Sequence, residues 1–591
     1  FWRRPQRRPP SWMREDVLDS DEDMGVDPEP LAFEVPSTEQ LRAELSAAVP
    51  ELSLRGLSNS VRWAAELLAS LPPAGAAVAP KVPGIFANTN AAVYAQLQLG
   101  KAYLDTREYM RAAATLSADI PGLAEDPHAV FLRHYARYLS GEKRKEEAAM
   151  EISDPVQKCQ VKNEELEAIQ ESLAPLHLAG KLDSFGLYIY ALALKGRELL
   201  AEARQVLAES LSQFPWNWSA WLDLVSICSD FAGMEEARLQ LRLPQHWTTM
   251  LFEAALLMET QRNDKALALY TGLSRHFGSS SYITAQIAGC HYNMRNFSVS
   301  QKLFEEIRSK DPHRLESLDT YSNILYVKEA SAALSHLARA AVKIDKFSPE
   351  TSCIVGNYYS LKGSHEKAVQ YFRRALSLNR NFTPAWILTG HEYMELKNTP
   401  AAIEAYRTAV SINHRDYRGW YGLGQTYELL SLYSYALYYY RKAMTLRPTD
   451  ARMWCAMAGC YDNMEGRELE AVKCYEKAYR NSDQEGIALP RLARLHSDLG
   501  QKERAAHYYK EILVAAGAMA TPARPGLSEK SVEALAFLMR YYKQLGQLEK
   551  CQECAMRLMD TAGAEKDEAK AVLRQVRASW TQPVSGIPGF G

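Results

Sequence analysis

Apolar and small residues recur along this chain with one long period. Trp386, Trp420 and Trp454 stand thirty-four positions apart, and Tyr393, Tyr427 and Tyr461 keep the same step seven positions later. Gly390 and Gly424 follow the tryptophan by four positions, Ala402 and Ala436 by sixteen, Tyr406 and Tyr440 by twenty, Ala409 and Ala443 by twenty-three. The register continues backwards without tryptophan. Ala266 and Ala368 share the phase of Ala402, and Tyr270, Phe304 and Phe372 share that of Tyr406. Pro448 closes one unit and Pro312 stands four steps before it. Within each step the apolar positions fall at helical spacing, which predicts two amphipathic helices per unit. Gly and Ala mark close helix crossings, the aromatics fill the space between successive pairs, and Pro stops the second helix. One such pair cannot bury its face alone, so neighbours must stack. The expected fold is all-α: a superhelical solenoid of stacked helix pairs.

Breaks in the register set the boundaries. Ala203, Leu207 and Pro215 mark one unit, and Trp221 opens the next, one full step after Leu187. Met250 follows Trp221 by only 29, which predicts a truncated second helix. Glu470 occupies an alanine position, whereas Ala471, Tyr475 and Ala478 restore the pattern, implying a single insertion after Tyr461 that Ala505 and Tyr509 inherit. Leu99, Gly100, Tyr103, Ala112 and Leu116 outline an early, diverged unit, for about a dozen in all. The expected organisation is a disordered tail over 1–36 and diverged repeats over 37–180 with a charged insertion at 141–170. A regular solenoid over 181–516, an Ala/Gly/Pro-rich loop over 517–530, a last helix pair over 531–575 and a tail over 576–591 follow. The tail at the start has five arginines up to Arg14, then eight acidic residues from Glu15 to Glu29. It has too little apolar surface to fold, and its 3–8 stretch reads as a bare basic tail or a nuclear import patch. The chain opens on Phe1 rather than Met, so it reads as a fragment. Ser37 and Gln40 have the spacing of a capping box.

Composition narrows the function classes. Of 591 residues 47% are apolar and 24% charged, ordinary values for a folded protein. Lys and Arg total 69 against 71 Asp and Glu, a net charge of −2 that argues against coating nucleic acid or an anionic membrane. No uninterrupted apolar stretch approaches the ~18–20 residues of a membrane span. Nine scattered cysteines read as reduced thiols in an intracellular compartment.

Candidate chemistry is sparse. The segments outside the repeats are too short for a catalytic domain. Cys551 and Cys554 form one CxxC without a second pair or nearby histidines, and Cys551 stands at a small-residue core position. Gly422 and Gly424 fall inside a helical pattern, which excludes a phosphate loop. Glu146 and Glu147 belong to a charged run, and His391 and His414 lack ligand spacing. No catalytic residue, metal site or cofactor is expected. The readings left are a scaffold presenting a groove to peptides or an enzyme whose catalytic part lies elsewhere, and the first is favoured.

The 34-residue pattern of Trp, Leu-Gly, Tyr, Ala, aromatic, Ala and Pro resembles the tetratricopeptide repeat. Other stretches resemble one family of such proteins, the subunit-eight (cell-division-cycle-twenty-three type) family of the anaphase-promoting complex. They are Arg137-Tyr-Leu-Ser-Gly-Glu-Lys143, Gln160-Val-Lys-Asn-Glu164, Gly356-Asn-Tyr-Tyr-Ser-Leu361, His365-Glu-Lys-Ala368, Gly390-His-Glu-Tyr-Met-Glu-Leu-Lys-Asn-Thr399, Trp420-Tyr-Gly-Leu-Gly-Gln-Thr-Tyr-Glu428 and Leu437-Tyr-Tyr-Tyr-Arg441, with Arg55-Gly56 and Trp63-Ala-Ala-Glu-Leu67 near the start. The resemblance spans roughly residues 40–575, and the stretches near 140 and 160 carry it beyond generic repeat residues. It implies a non-catalytic scaffold in a ubiquitin ligase that marks mitotic regulators, in the nucleus and cytoplasm. It also implies homodimerisation through the N-terminal repeats and contacts with sister tetratricopeptide subunits, large scaffold subunits and small extended subunits. The coactivator's N-terminal segment, with its Asp-Arg-aromatic-Ile-Pro motif, would be a further partner. Another sister subunit and a generic peptide-binding adaptor are the alternatives.

Two residue sets follow. The first helix of each pair lines the concave face, and the position after the small residue reads Asn323, Asn357, His391 and Gln425. One turn further lie Ser360, Glu428 and Asp462, with Glu395 adjacent. Amides would bind a peptide backbone, and Glu395, Glu428 or Asp462 an arginine. Near the start, apolar Trp63, Leu67, Leu68, Leu99 and Tyr103 are the candidates for a dimer interface.

Overall fold

A computed structural model describes residues 36–72, 91–117, 123, 126–152, 161–228, 244, 246–278, 280–481, 483, 486–515, 529–559 and 564–580. Residues 1–35 of the expected 1–36 tail, most of the 517–530 loop and the last eleven residues lie outside them. All 28 regular elements among the described residues are α-helices: thirteen pairs, the single helix Trp218–Ile227 and a C-terminal helix Ala564–Trp580; the truncated second helix expected after Trp221 lies outside the described residues. The chain divides into two compact units, one ending at Cys290 and the other running from His291, with 259–261 exchanged between them.

The period is written into the backbone. Gln261, Arg295, Glu329, Gly363, Lys397 and Ser431 follow one another at the repeat step, and all have positive φ, between 53° and 72°. Each ends the first helix of a pair, and the next residue's N–H bonds the carbonyl five residues back. Asn296 bonds His291 at 2.8 Å, Ser364 bonds Tyr359 at 2.9 Å, Asn398 bonds Tyr393 at 2.8 Å and Leu432 bonds Tyr427 at 2.9 Å. That is the six-to-one bond of a Schellman ending. In the later pairs the first helix ends at left-handed Gly466, one position beyond a full step, then Gly500, and Gly546, twelve beyond a full step. The extra residue matches the insertion expected after Tyr461, and the extra twelve fall across the span of the expected 517–530 loop, most of which lies outside the described residues.

Packing inside each pair follows from the small residues. A Cβ at Gly356, Gly390 or Gly424 would lie 2.4, 2.5 or 2.4 Å from the ring of Phe372, Tyr406 or Tyr440, sixteen positions later in each case. Those three rings are fully buried. The indole N–H groups of Trp221, Trp386, Trp420 and Trp454 each donate to the carbonyl six positions earlier, at 2.8–2.9 Å, and so fix the chain between pairs. Asp416 and Asp450, again one step apart, cap the helices Tyr417–Leu429 and Ala451–Asp462.

At the chain ends the expectations hold in part. Ser37 and Gln40 form the capping box of the helix Thr38–Leu54, and Gly100 packs on Leu116 in the diverged early pair. The helix Pro127–Glu151 runs straight through Gly141, whose missing Cβ admits the Asn163 side chain. Asn163 donates to the Tyr138 carbonyl at 3.2 Å and to Glu142 at 3.0 Å, and Arg144 pairs with Glu165 at 2.9 Å, so the charged segment folds back on its own helix. The loop closes earlier than 530, because the helix Glu529–Gln544 already includes two of its residues. The last pair is followed by a third helix, reaching Trp580 past the expected tail boundary. Its Ala569, Val572 and Val576 are buried against the final pair, covering a face that stacking would otherwise leave bare.

Candidate peptide-binding face

The first helices of five successive pairs in the second unit are Leu318–Val327, Pro349–Leu361, Thr383–Glu395, Tyr417–Leu429 and Ala451–Asp462. The equivalent mid-helix positions of the first four hold Asn323, Asn357, His391 and Gln425, which the structure sorts into different jobs. Asn357 is buried, and its amide donates both hydrogens to the preceding pair: to Asn323 Oδ1 at 2.7 Å and Ser322 Oγ at 2.8 Å. Half-buried Asn323 therefore shares a repeat-to-repeat staple with it. His391 bonds the Tyr406 hydroxyl at 2.8 Å across its own pair. Its surface is exposed, yet the dense protein surrounding this face, and then the Arg418 charge, lower its imidazole to about 4, so it is neutral at pH 7. Gln425 is half-buried and makes no hydrogen bond among the described residues.

The carboxylates divide likewise. Glu428 accepts from the Tyr440 hydroxyl at 2.6 Å, and burial followed by that carboxylate pushes the phenol's pKa far up. Asp462 faces Arg491 at 3.8 Å. Glu395 is exposed and forms no ion pair among the described residues. Asp416 and Asp450 are already held by their own helices: Arg418 reaches Asp416 at 2.7 Å and Arg452 reaches Asp450 at 2.8 Å. Burial pushes the Asp416 carboxyl up, but Arg418 more than offsets it and leaves the pKa below the usual value. Buried Glu392 accepts from Ser360 at 2.7 Å and from His365 at 2.8 Å.

One acid was not singled out from sequence. Asp319 lies one turn before Asn323 on the same helix face. It is 9% exposed and forms no ion pair among the described residues. Burial, with the nearby Glu350 charge adding, pushes its carboxyl up to about 6, only partly offset by backbone N–H bonds and the Arg418 charge. The signal was present in the register: one and two steps on, the same position holds Cys353 and Ile387, so Asp319 is a charge where the pattern is apolar.

The thiols are protonated at neutral pH, since burial lifts Cys290, Cys460 and Cys474 to about 12 and Cys554 to about 11. Cys551 and Cys554 sit in the core of the last pair, where the Cys551 thiol donates to the Met539 carbonyl. No group of three metal-ligating side chains occurs among the described residues, and none of their helices is long and apolar enough to cross a membrane.

In the first unit, Trp63 and Leu67 are buried inside their own chain. Leu68 is half-buried. Leu99 is 43% exposed, and Tyr103 lies beneath Arg111, which also donates to its hydroxyl at 2.9 Å.

Comparison with known proteins places the chain. The family model for anaphase promoting complex subunit 8 / Cdc23 matches residues 40–288, and tetratricopeptide models match 349–382 and 390–431. The chain is 45% identical to anaphase-promoting complex subunit 8 of Arabidopsis thaliana over 580 residues, covering 92% of this chain and 98% of that protein. It is 42% identical to the Dictyostelium discoideum subunit 8, covering 91% and 98%. With the human cell division cycle protein 23 homolog it shares 41% identity over 291 residues, 49% of this chain and 47% of that one. A crystal structure of the APC/C hetero-tetramer Cut9-Hcn1 aligns over 92% of this chain and 96% of its own with a TM-score of 0.54 at 15% identity, a likeness of fold. With the repeat register, the stapled helix pairs and the full-length relatives in agreement, the chain belongs to the anaphase-promoting complex subunit 8 / Cdc23 family.

Proposed function

We propose that this protein is a non-catalytic scaffold subunit of an anaphase-promoting-complex ubiquitin ligase, working in the nucleus and cytoplasm. It joins sister tetratricopeptide subunits, large scaffold subunits and small extended subunits, and receives the coactivator's N-terminal segment on the first-helix face of the second unit. The observation that carries the peptide reading is Asp319. Asp319 forms no ion pair among the described residues, the Arg418 charge only partly offsets its burial, and such a carboxylate is costly to keep; it shares a helix face with Asn323, which the repeat geometry had placed on the groove. An arginine from the Asp-Arg-aromatic-Ile-Pro motif supplies the missing charge, with exposed Glu395 and unbonded Gln425 further along the same series of helices. Asn357 and Glu428 hold the stack itself. The homodimer forms through the first unit, with Leu99 and the half-buried flanks Leu68 and Tyr103 on the contact, since Trp63 and Leu67 serve the interior.

The test is an equilibrium titration of the full chain with a synthetic peptide carrying that motif. Removing one partner of a desolvated ion pair typically costs ~2–5 kcal/mol. Asp319→Asn should therefore weaken binding about 30-fold or more, at ~1.4 kcal/mol per decade. An unchanged Kd rejects the assignment.

A further inference from the structure

In a linear repeat array each unit touches only its neighbours. The first helix pair of this protein, Thr38–Leu54 and Ser58–Ser70, does something else. Ser60 bonds the Asn217 side chain at 3.1 Å and the Ser219 hydroxyl at 2.9 Å, and accepts from the Ser219 N–H at 3.0 Å. Trp63 stacks on Trp218 with centroids 4.9 Å apart and planes 7° from parallel, and on Trp247 at 6.2 Å. Glu44 accepts from the Trp247 indole at 3.1 Å and pairs with His246 at 3.2 Å. Arg55 reaches Asp183 at 3.3 Å and lies 3.8 Å over the Phe185 ring. These partners are 128 to 203 residues away in sequence, all within the first unit, and they add to nearer contacts, Arg55 with His128 at 3.4 Å and Gly56 against Leu104.

The seam is a closed one. Arg55, Ser60, Trp63, Asn217, Trp218 and Trp247 are all buried. Large flat rings in near-parallel contact supply apolar area and a fixed geometry together. The polar fit is incomplete, because the Trp63 indole N–H and the Asn217 amide nitrogen are buried without partners among the described residues. Each such group counts against the docked state, so the seam holds by ring stacking and is weakened by its own orphans.

We infer that the helix pair 38–70 is a clasp: docked on the helices that begin at Ser184, Trp218 and Trp247, it holds the intervening repeats in a closed turn, and its release opens that turn. Closure makes the first unit cooperative across its whole length. A lesion at Trp63 is felt near 218–259, whereas in an ordinary array it would fade within the next pair or two.

Hydrogen exchange read by mass spectrometry on the full chain tests this. In Trp63→Ala the amides of Trp218–Ile227 and Trp247–Glu259 should exchange at least ten-fold faster, with Pro349–Leu361 in the second unit unchanged. Faster exchange confined to 38–115 overturns the clasp. If Trp63→Ala melts the whole unit, Ser60→Ala decides, because it removes the bonds to Asn217 and Ser219 and leaves the rings stacked. It should accelerate the same two distant helices by a smaller factor, and silence there overturns the inference. Protection at 218–259 that falls on dilution would mean the pair is donated by a second copy, which also overturns it.

Discussion

Two helical glycines in adjacent repeats should respond to the same substitution with opposite signs. Gly424 lies in Tyr417–Leu429 and Gly459 in Ala451–Asp462. Alanine gains ~1 kcal/mol over glycine in a helix interior at either site. The surroundings decide the rest. A Cβ at Gly459 meets nothing closer than Glu428 at 3.9 Å and the Tyr475 hydroxyl at 4.0 Å, ordinary contact distances. A Cβ at Gly424 would lie 2.4 Å from two ring carbons of Tyr440, which is fully buried and anchored through its hydroxyl to Glu428. The ring must retreat, at ~1–3 kcal/mol for overpacking, and it strains a hydrogen bond worth ~1 kcal/mol. Gly459→Ala should stabilise by ~1 kcal/mol and Gly424→Ala should destabilise by ~1–3 kcal/mol.

The chain contains its own precedent. One step after Gly424 the equivalent position is Ala458, fully buried and already carrying a Cβ. It is tolerated there because the insertion after Tyr461 moves the facing aromatic to Tyr475. A long array need not unfold in one step, so the assay is site-resolved hydrogen exchange, read at Tyr433–Leu446 for Gly424→Ala and at Glu468–Arg480 for Gly459→Ala. Protection should fall in the first and rise in the second. Equal losses at both sites, or a gain for Gly424→Ala, would refute the close-crossing account.

The Asp319 carboxyl titrates near 6 in the folded protein, above its ordinary ~3.9, so the native state binds its proton more tightly. The cost of ionising it is absent below about pH 4, grows as pH rises and is complete above about pH 6. Asp319→Asn should accordingly raise stability by up to ~3 kcal/mol at about pH 7.5 and leave it unchanged at about pH 4, as thermal unfolding at the two pH values will read. With weaker peptide binding, that gain would mark a residue kept for its ligand at the expense of the fold. Lys397 and Ser431 hold φ of 57° and 58°, and replacing either with Gly should raise the unfolding midpoint by an amount equivalent to ~0.5–1 kcal/mol; a decrease would rule out backbone strain there.

The period, the insertion after Tyr461, the early pair around Gly100 and the capping box at Ser37 were all legible because each is a local rule: a small residue opposite an aromatic, a cap opposite an N–H, a fixed count between equivalent positions. What a local rule does not contain is the partner. Asn357 and Gln425 occupy one register position and look alike in sequence, yet Asn357 gives both amide hydrogens to Asn323 and Ser322 in the preceding pair, while Gln425 bonds nothing among the described residues, because the matching neighbour is Asn323 in one case and His391 in the other. Trp63 posed the same difficulty at longer range. An apolar residue on a diverged helix fits a dimer contact equally well, and only the return of the chain at Trp218 and Trp247 assigns it to the interior. Asp319 shows the converse. A charge at a position that is otherwise Cys353 and Ile387 breaks the pattern, and the broken rule, rather than the kept one, marked the residue that the fold does not need.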